Sequence, residues 1–127
     1  MSTHTADLPD GEVKLTDFDP RVDAEIEWSD HAKNRWRERG SDVGFLRAWS
    51  QSEEIDYPSA HSGCRGRYHE ASDSVLIVKR LRRRDNAMGW QFVDIVTSVI
   101  EVSDREGQTV VVDGRERDEA AYVRGQV

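Results

Sequence analysis

Residues 65–82 read RGRYHEASDSVLIVKRLR, and the change of pattern inside this stretch decides the fold class. Arg65, Arg67 and His69 alternate with Gly66, Tyr68 and Glu70, the period of two that a strand presents. Ser74–Arg82 then carries Val75, Leu76, Ile77, Val78 and Leu81, and Ala71-Ser72-Asp73 between the two runs has turn chemistry, so the stretch predicts a β-hairpin. Beyond it, Asp85, Asn86 and Gly89 mark a second turn. Trp90–Ile100 follows with apolar residues on both faces, Phe92, Val96 and Ile100 against Val93, Ile95 and Val99. A strand apolar on both sides is expected in the middle of a sheet.

Upstream, the period is helical. Ser29 is placed to cap a helix over 30–39, with Asp30 in its first turn, Ala32 and Trp36 marking its buried direction, and Gly40 as its stop. Ser41 or Asp42 can cap a second helix over 42–51, whose apolar stripe is Val43, Phe45, Leu46 and Trp49. Downstream, Val110–Val112 reads as an edge strand and Glu116–Val123 as a short terminal helix. Residues 1–27, with Pro9, Gly11, Pro20 and scattered acids, read as an acidic flexible tail. The expected layout is a tail over 1–27, an α/β core over 28–101 and an extension over 102–127. The expected class is α+β: two N-terminal helices on a twisted, mainly antiparallel sheet of three to four strands, with a short C-terminal helix.

The whole chain has 127 residues, 34% of them charged, and a net charge of −7, which is one domain's length of chain. No run approaches the ~18 apolar residues of a membrane span, and no secretory signal opens the chain, so a cytoplasmic protein is expected. The lone Cys64 excludes an internal disulfide. The basic residues are 15 Arg and 3 Lys, and an acidic, Lys-poor balance is what a salt-adapted protein carries. The charge is unevenly spread: −7 over 1–30, +3 over 31–100 and −3 over 101–127. A net basic middle points to an anionic partner or to structural Arg–carboxylate pairs.

Arg35 and Arg39 lean toward the buried side of the first helix, where they either pair with strand carboxylates such as Asp94 or Glu70 or line a cleft for phosphate. His31 lies on the same side, near the helix start. Arg65, Arg67 and His69 share a strand face, and the partner strand ends in Lys79, Arg80, Arg82, Arg83 and Arg84. That end of the hairpin is expected to be densely positive, either as a solvated loop or as a phosphate site whose bases stack on Tyr68 or Trp90. The acids of residues 1–27 give a further expectation, an internal nucleic-acid mimic folded over the basic hairpin. His61, Cys64 and His69 follow an H-x2-C-x4-H spacing without the second ligand pair zinc sites use, so no metal or other cofactor is expected. No Walker loop, G-x-G-x-x-G or G-x-S-x-G is present.

The segment WSDHAKNRWRERG at Trp28–Gly40, followed by a short helix, an arginine-bearing strand pair and the strand VDIVTSVI, resembles the RelE/ParE-like toxin superfamily. It is most similar to a small group whose first helix carries His-Ala-x-x-Arg-x-x-x-Arg, here His31, Ala32, Arg35 and Arg39. The resemblance covers about residues 26–101. BrnT-like toxins share the lead IEWS, but their Lys-His-Gly helix ending is replaced by Glu38, Arg39 and Gly40. The resemblance implies two helices on a twisted antiparallel sheet, an antitoxin partner and an endoribonuclease of mRNA interferase type. Such an enzyme cuts RNA without metal by turning the ribose 2′-OH on the adjacent phosphate. On that pattern Arg67 and Arg80 or Arg82 are the phosphate clamps, His69 is the acid or base, and Tyr68 stacks a base. Arg35, Arg39, Arg65, Lys79, Arg83 and Arg84 are the expected RNA contacts. The competing expectation is a non-catalytic RNA- or protein-binding module, accessory or viral, on the same fold.

Overall fold

The structure, a computed structural model, describes residues 12–15, 18–39, 42–61, 63–85, 87 and 89–127. The expected helix stop Gly40, the cap Ser41 and the turn residue Asn86 lie outside the described residues.

Among the described residues the fold is α+β with a mainly antiparallel sheet and three α-helices. Its spine is a long hairpin of β5 (Ser74–Asp85) and β6 (Gly89–Glu101), antiparallel along its whole length. The other edge of β5 is shared in succession. β4 (Cys64–His69) pairs with Ser74–Lys79, and β1 (Glu12–Leu15) pairs with Arg80–Arg83. β3 (Glu53–Ile55) adds to β4, and β2 (Glu25–Trp28) runs parallel to β6, completing six strands. β6 is therefore paired on both edges over Val93–Val96, inside the run with two apolar faces.

The sequence reading is corrected at several elements. Among the described residues the sheet has six strands where three or four were expected, and two of the additional strands, β1 and all but the last residue of β2, fall inside the stretch expected to be a flexible tail. Their alternation puts Ile26 and Trp28 against the core while Glu25 and Glu27 face away, which is sufficient burial to hold a four-residue strand. The first two helices thus follow two strands rather than opening the fold. β7 (Thr109–Val112) is not an edge of the main sheet but pairs with β8 (Arg115–Asp118) in a separate two-stranded ribbon.

Helix α1 (Asp30–Glu38) starts where its cap chemistry places it. The Ser29 hydroxyl accepts from the Ala32 N–H at 3.1 Å and donates to the Thr97 carbonyl at 3.2 Å, so one side chain ends β2, opens α1 and ties both to β6. Thr97 is the extra residue of a bulge, between the pairs Val78–Val96 and Ile77–Ser98. Ala32 and Trp36 are buried as expected. Helix α2 (Phe45–Gln51) begins three residues later than expected, with Gly44 as its cap residue.

Each sheet face has its own core. On one, Trp28, Ala32, Trp36 and Ala48 pack on Leu76, Val78, Val96 and Val99. On the other, Tyr57 and Tyr68 pack with Val75, Ile77 and the terminal helix α3 (Glu119–Arg124) through Ala120 and Val123. Gly66 sits between Arg65 and Arg67 because a Cβ there would lie 2.7 Å from that of Tyr57. Among the described residues no helix is long and apolar enough to cross a membrane.

Candidate nucleic-acid interface

Strand alternation and register sort the basic residues onto two faces. Arg65, Arg67 and His69 of β4 point to the α1–α2 side, and so do Arg80, Arg82 and Arg84 of β5. Tyr68, Lys79 and Arg83 point to the other side.

On the helix side lies a cleft of about 170 Å³ lined by Arg65, Arg67, Arg80, Glu54, Asp94 and Trp49, with Phe18 and Pro20 as its outer wall. The volume is below the ~300–1,000 Å³ of sites that enclose a drug-sized ligand, and suits a group such as a phosphate. Its three guanidinium groups are held differently. Arg80 is locked: it forms a two-pronged ion pair with its cross-strand neighbour Asp94, at 2.6 and 2.9 Å, and donates to the Asp19 carbonyl at 2.8 Å. Both side chains are only 7% exposed, so this pair leaves little net charge for a ligand.

Arg67 is a partly buried cation whose hydrogen bonds all go to neutral acceptors. It donates to the Ser52 hydroxyl at 2.8 Å, the Ser52 carbonyl at 2.7 Å and the Trp49 carbonyl at 3.3 Å, and its guanidinium lies 4.3 Å from the centre of the Trp49 ring. Burial lowers its pKa, and the carboxylates Glu54, Asp94 and Glu53 act on it only at longer range. A cation so placed favours an anion brought to its open side. Arg65 is exposed, stacks on Phe18 at 5.3 Å, and has no ion pair among the described residues. Glu54, opposite Arg67 in the β3–β4 register, is exposed and likewise has no hydrogen bond or ion pair among them.

His69 and Tyr68 sit deeper than the sequence suggests. His69 is 1% exposed. Its Nε2 lies 2.8 Å from Gln51 Oε1, its Nδ1 lies 2.7 Å from the Ser72 hydroxyl, and its ring stands edge-on to Trp36. An amide oxygen at Nε2 requires the proton there, and burial lowers the pKa, so the ring is held neutral. Tyr68 is 4% exposed and donates to Asp73 at 2.6 Å, and burial with that bond raises its pKa to about 12. Its ring belongs to the opposite core and offers no face to a base.

The remaining expected contacts divide between pairing and exposure. Arg39 donates to the Ser72 carbonyl at 2.6 Å and pairs with Glu101, and with Arg35 it borders a separate small pocket. Neither meets Asp94 or Glu70, the carboxylates considered for them. Arg83 is spanned by Glu12 and Glu27, each at 2.6 Å, on the far face. Lys79 is half-buried there, and His31 and Arg35 are exposed on α1. Arg82 and Arg84 are exposed at the hairpin end, with Arg82 4.6 Å from the Trp90 ring centre.

The described acids of the N-terminal stretch do not neutralise the cleft. Glu12 and Glu27 take Arg83, Asp19 takes Arg21, and only the Phe18 ring and the Asp19 carbonyl reach the cleft arginines. The sequence reading missed Glu54, Trp49 and Phe18 as cleft residues. Only the Glu53–Glu54 pair just after the helix end carried a signal, and a three-residue strand is too short for its periodicity to be read.

The family model for Halo_toxin, described as "Putative RelE superfamily toxin domain", matches residues 28–103. No curated protein and no solved structure matches the chain.

Proposed function

The chain belongs to the Halo_toxin family of RelE-superfamily toxin domains, and on that premise we propose that it is a toxin that cuts RNA without metal at the Glu54–Arg65–Arg67 cleft and is restrained by an antitoxin. The observation that carries the reading is Arg67, a partly buried guanidinium that, among the described residues, bonds only to neutral oxygens and stands beside Glu54, a carboxylate with no ion pair there. A scissile phosphate lodged there meets Arg67 and Arg65, while the fixed Arg80–Asp94 pair shapes the floor. Glu54 takes the proton of the 2′-OH, the 2′-oxygen bonds to phosphorus, and the bond from phosphorus to the 5′-oxygen breaks. The leaving oxygen takes a proton from solvent. The products are a 2′,3′-cyclic phosphate and a 5′-hydroxyl end. Two guanidinium groups stabilise the charge that develops on the phosphoryl oxygens, and the Glu54 carboxylate beside them is the base. In this reading His69 orients Gln51 and the β4–β5 turn rather than moving a proton.

Incubating the protein with end-labelled RNA in EDTA tests the reading. The wild type cleaves, Glu54→Gln loses about 100-fold or more of the rate, the scale of a general base, and Arg65→Ala weakens RNA binding. Cleavage by Glu54→Gln at the wild-type rate overturns the site. A second reading, a binding module on the same fold, is favoured by the engagement of His69 and Arg80 in internal bonds. It predicts RNA bound in the cleft and released intact.

A further inference from the structure

The β5–β6 register pairs Arg80 with Asp94, Arg82 with Phe92 and Arg84 with Trp90, and alternation puts all six side chains on the face that holds the cleft. Charge is segregated across this end of the hairpin. Arg83, the one arginine of the run that faces the other way, is the one that Glu12 and Glu27 take. On the cleft face Asp94 is consumed by Arg80, and Arg82 and Arg84 have neither an ion pair nor a hydrogen bond among the described residues.

Across from Arg84 and diagonal to Arg82 stands Trp90, 44% exposed. One face of its indole is covered by the Arg82 guanidinium at 4.6 Å, and no second ring or cation contact to it exists among the described residues. An indole left half in water, with one arginine directly across the ladder and a second on its diagonal, has the two elements that single-stranded nucleic acid binding uses: a π-system for a base and charge for the neighbouring phosphates. Arg80 marks the cleft, and four residues of strand place Arg84 about 13 Å further along the same face. That distance is short for a protein surface and natural for a strand of RNA already anchored in the cleft.

We propose that Trp90, with Arg84 opposite and Arg82 on its diagonal, is a stacking site for one base of single-stranded RNA, whose backbone runs from the Arg65–Arg67 cleft along β5 to the hairpin end. The inference rests on the reading of the chain as acting on RNA. It adds that the substrate is unpaired at a fixed distance from the scissile bond, since a base inside a duplex is already stacked and has no face to give.

The test measures binding of a fully 2′-O-methylated oligonucleotide, which has no 2′-OH and stays intact, next to cleavage of ordinary RNA of the same sequence. Trp90→Ala weakens single-strand binding by between about 5-fold and about 150-fold, and Trp90→Phe, which keeps a ring, recovers most of it. Arg82→Ala with Arg84→Ala makes the slope of log affinity against log salt shallower by about 1.4, two phosphate contacts on a single strand. The matching duplex binds with no dependence on Trp90. If Trp90→Ala binds the single strand as the wild type does, or loses single strand and duplex alike, the stacking site is overturned, while cleavage by the wild type still stands for the cleft. If the wild type binds through Trp90 but cuts no RNA, the stacking site is supported and the nuclease reading falls. If it binds neither oligonucleotide at low salt, both fall.

Discussion

His69 shows most sharply where residue type and residue position part. Its type, and its place two residues after Arg67, single it out for proton transfer, yet the fold spends both ring nitrogens on Gln51 and Ser72 and packs the ring against Trp36. Alternation reveals which face a side chain takes; it does not reveal that α2 lays Gln51 across that face. Tyr68 is the same case on the other side, and Glu54 the reverse, a residue without a pattern that the register brings opposite Arg67. Because the folded state keeps His69 neutral, with a pKa below its ordinary 6.5, its contribution to stability is complete above about pH 6.5 and is lost as pH falls from there through the lowered folded value. Urea midpoints of the wild type should therefore decline from pH 7.5 to 5.5, and His69→Gln should flatten that decline. His69→Ala, which leaves a cavity beside Trp36 and an unbonded Gln51, is expected to cost about 2–4 kcal/mol in the same assay. A loss below about 0.5 kcal/mol would mean that the ring is not held as described.

Among the elements, the long ones were legible and the short ones were not. β5, β6 and α1 announce themselves through apolar runs and a capping serine, signals that sum over many residues. β1, β2, β3 and β8 have three or four residues each, too few for a period to emerge, and the first three exist because an edge of a longer strand is there to pair with. β5 also conceals its most consequential residue in a run of five basic positions. Arg80 looks like one more solvated arginine until the register sets it across from Asp94. Removing one partner of so buried a pair strands the other's charge, so Asp94→Ala is expected to destabilise the fold by about 3–5 kcal/mol, whereas the double change Arg80→Met with Asp94→Leu costs clearly less. Thermal or urea unfolding of the wild type and the two variants decides it, and equal costs for the single and the double change would show that the pair is not the reason.

On the scale of the whole molecule, the family match over 28–103 covers the hairpin, the cleft arginines and both helices that frame them. β1, which pairs at the sheet edge, and the ring of Phe18 on the cleft wall lie outside the matched residues. The net basic middle of an acidic chain was readable, but its consequence was not, because the carboxylates that count are placed by topology: Glu12 and Glu27 silence Arg83 on one face and leave Arg65, Arg67, Arg82 and Arg84 open on the other. A surface sorted in this way is what a polyanion needs. Whether the polyanion is cut, and by which oxygen, is read from the ends it leaves. The most direct measurement is therefore analysis of the product ends from an RNA incubated with the protein in EDTA, beside the same RNA carrying a single 2′-deoxynucleotide at the cleaved position. Cyclic 2′,3′-phosphate and 5′-hydroxyl ends, with no cut at the deoxynucleotide, are expected. Ends bearing a 5′-phosphate, or an undiminished cut at the deoxynucleotide, would contradict attack by the 2′-hydroxyl at this cleft.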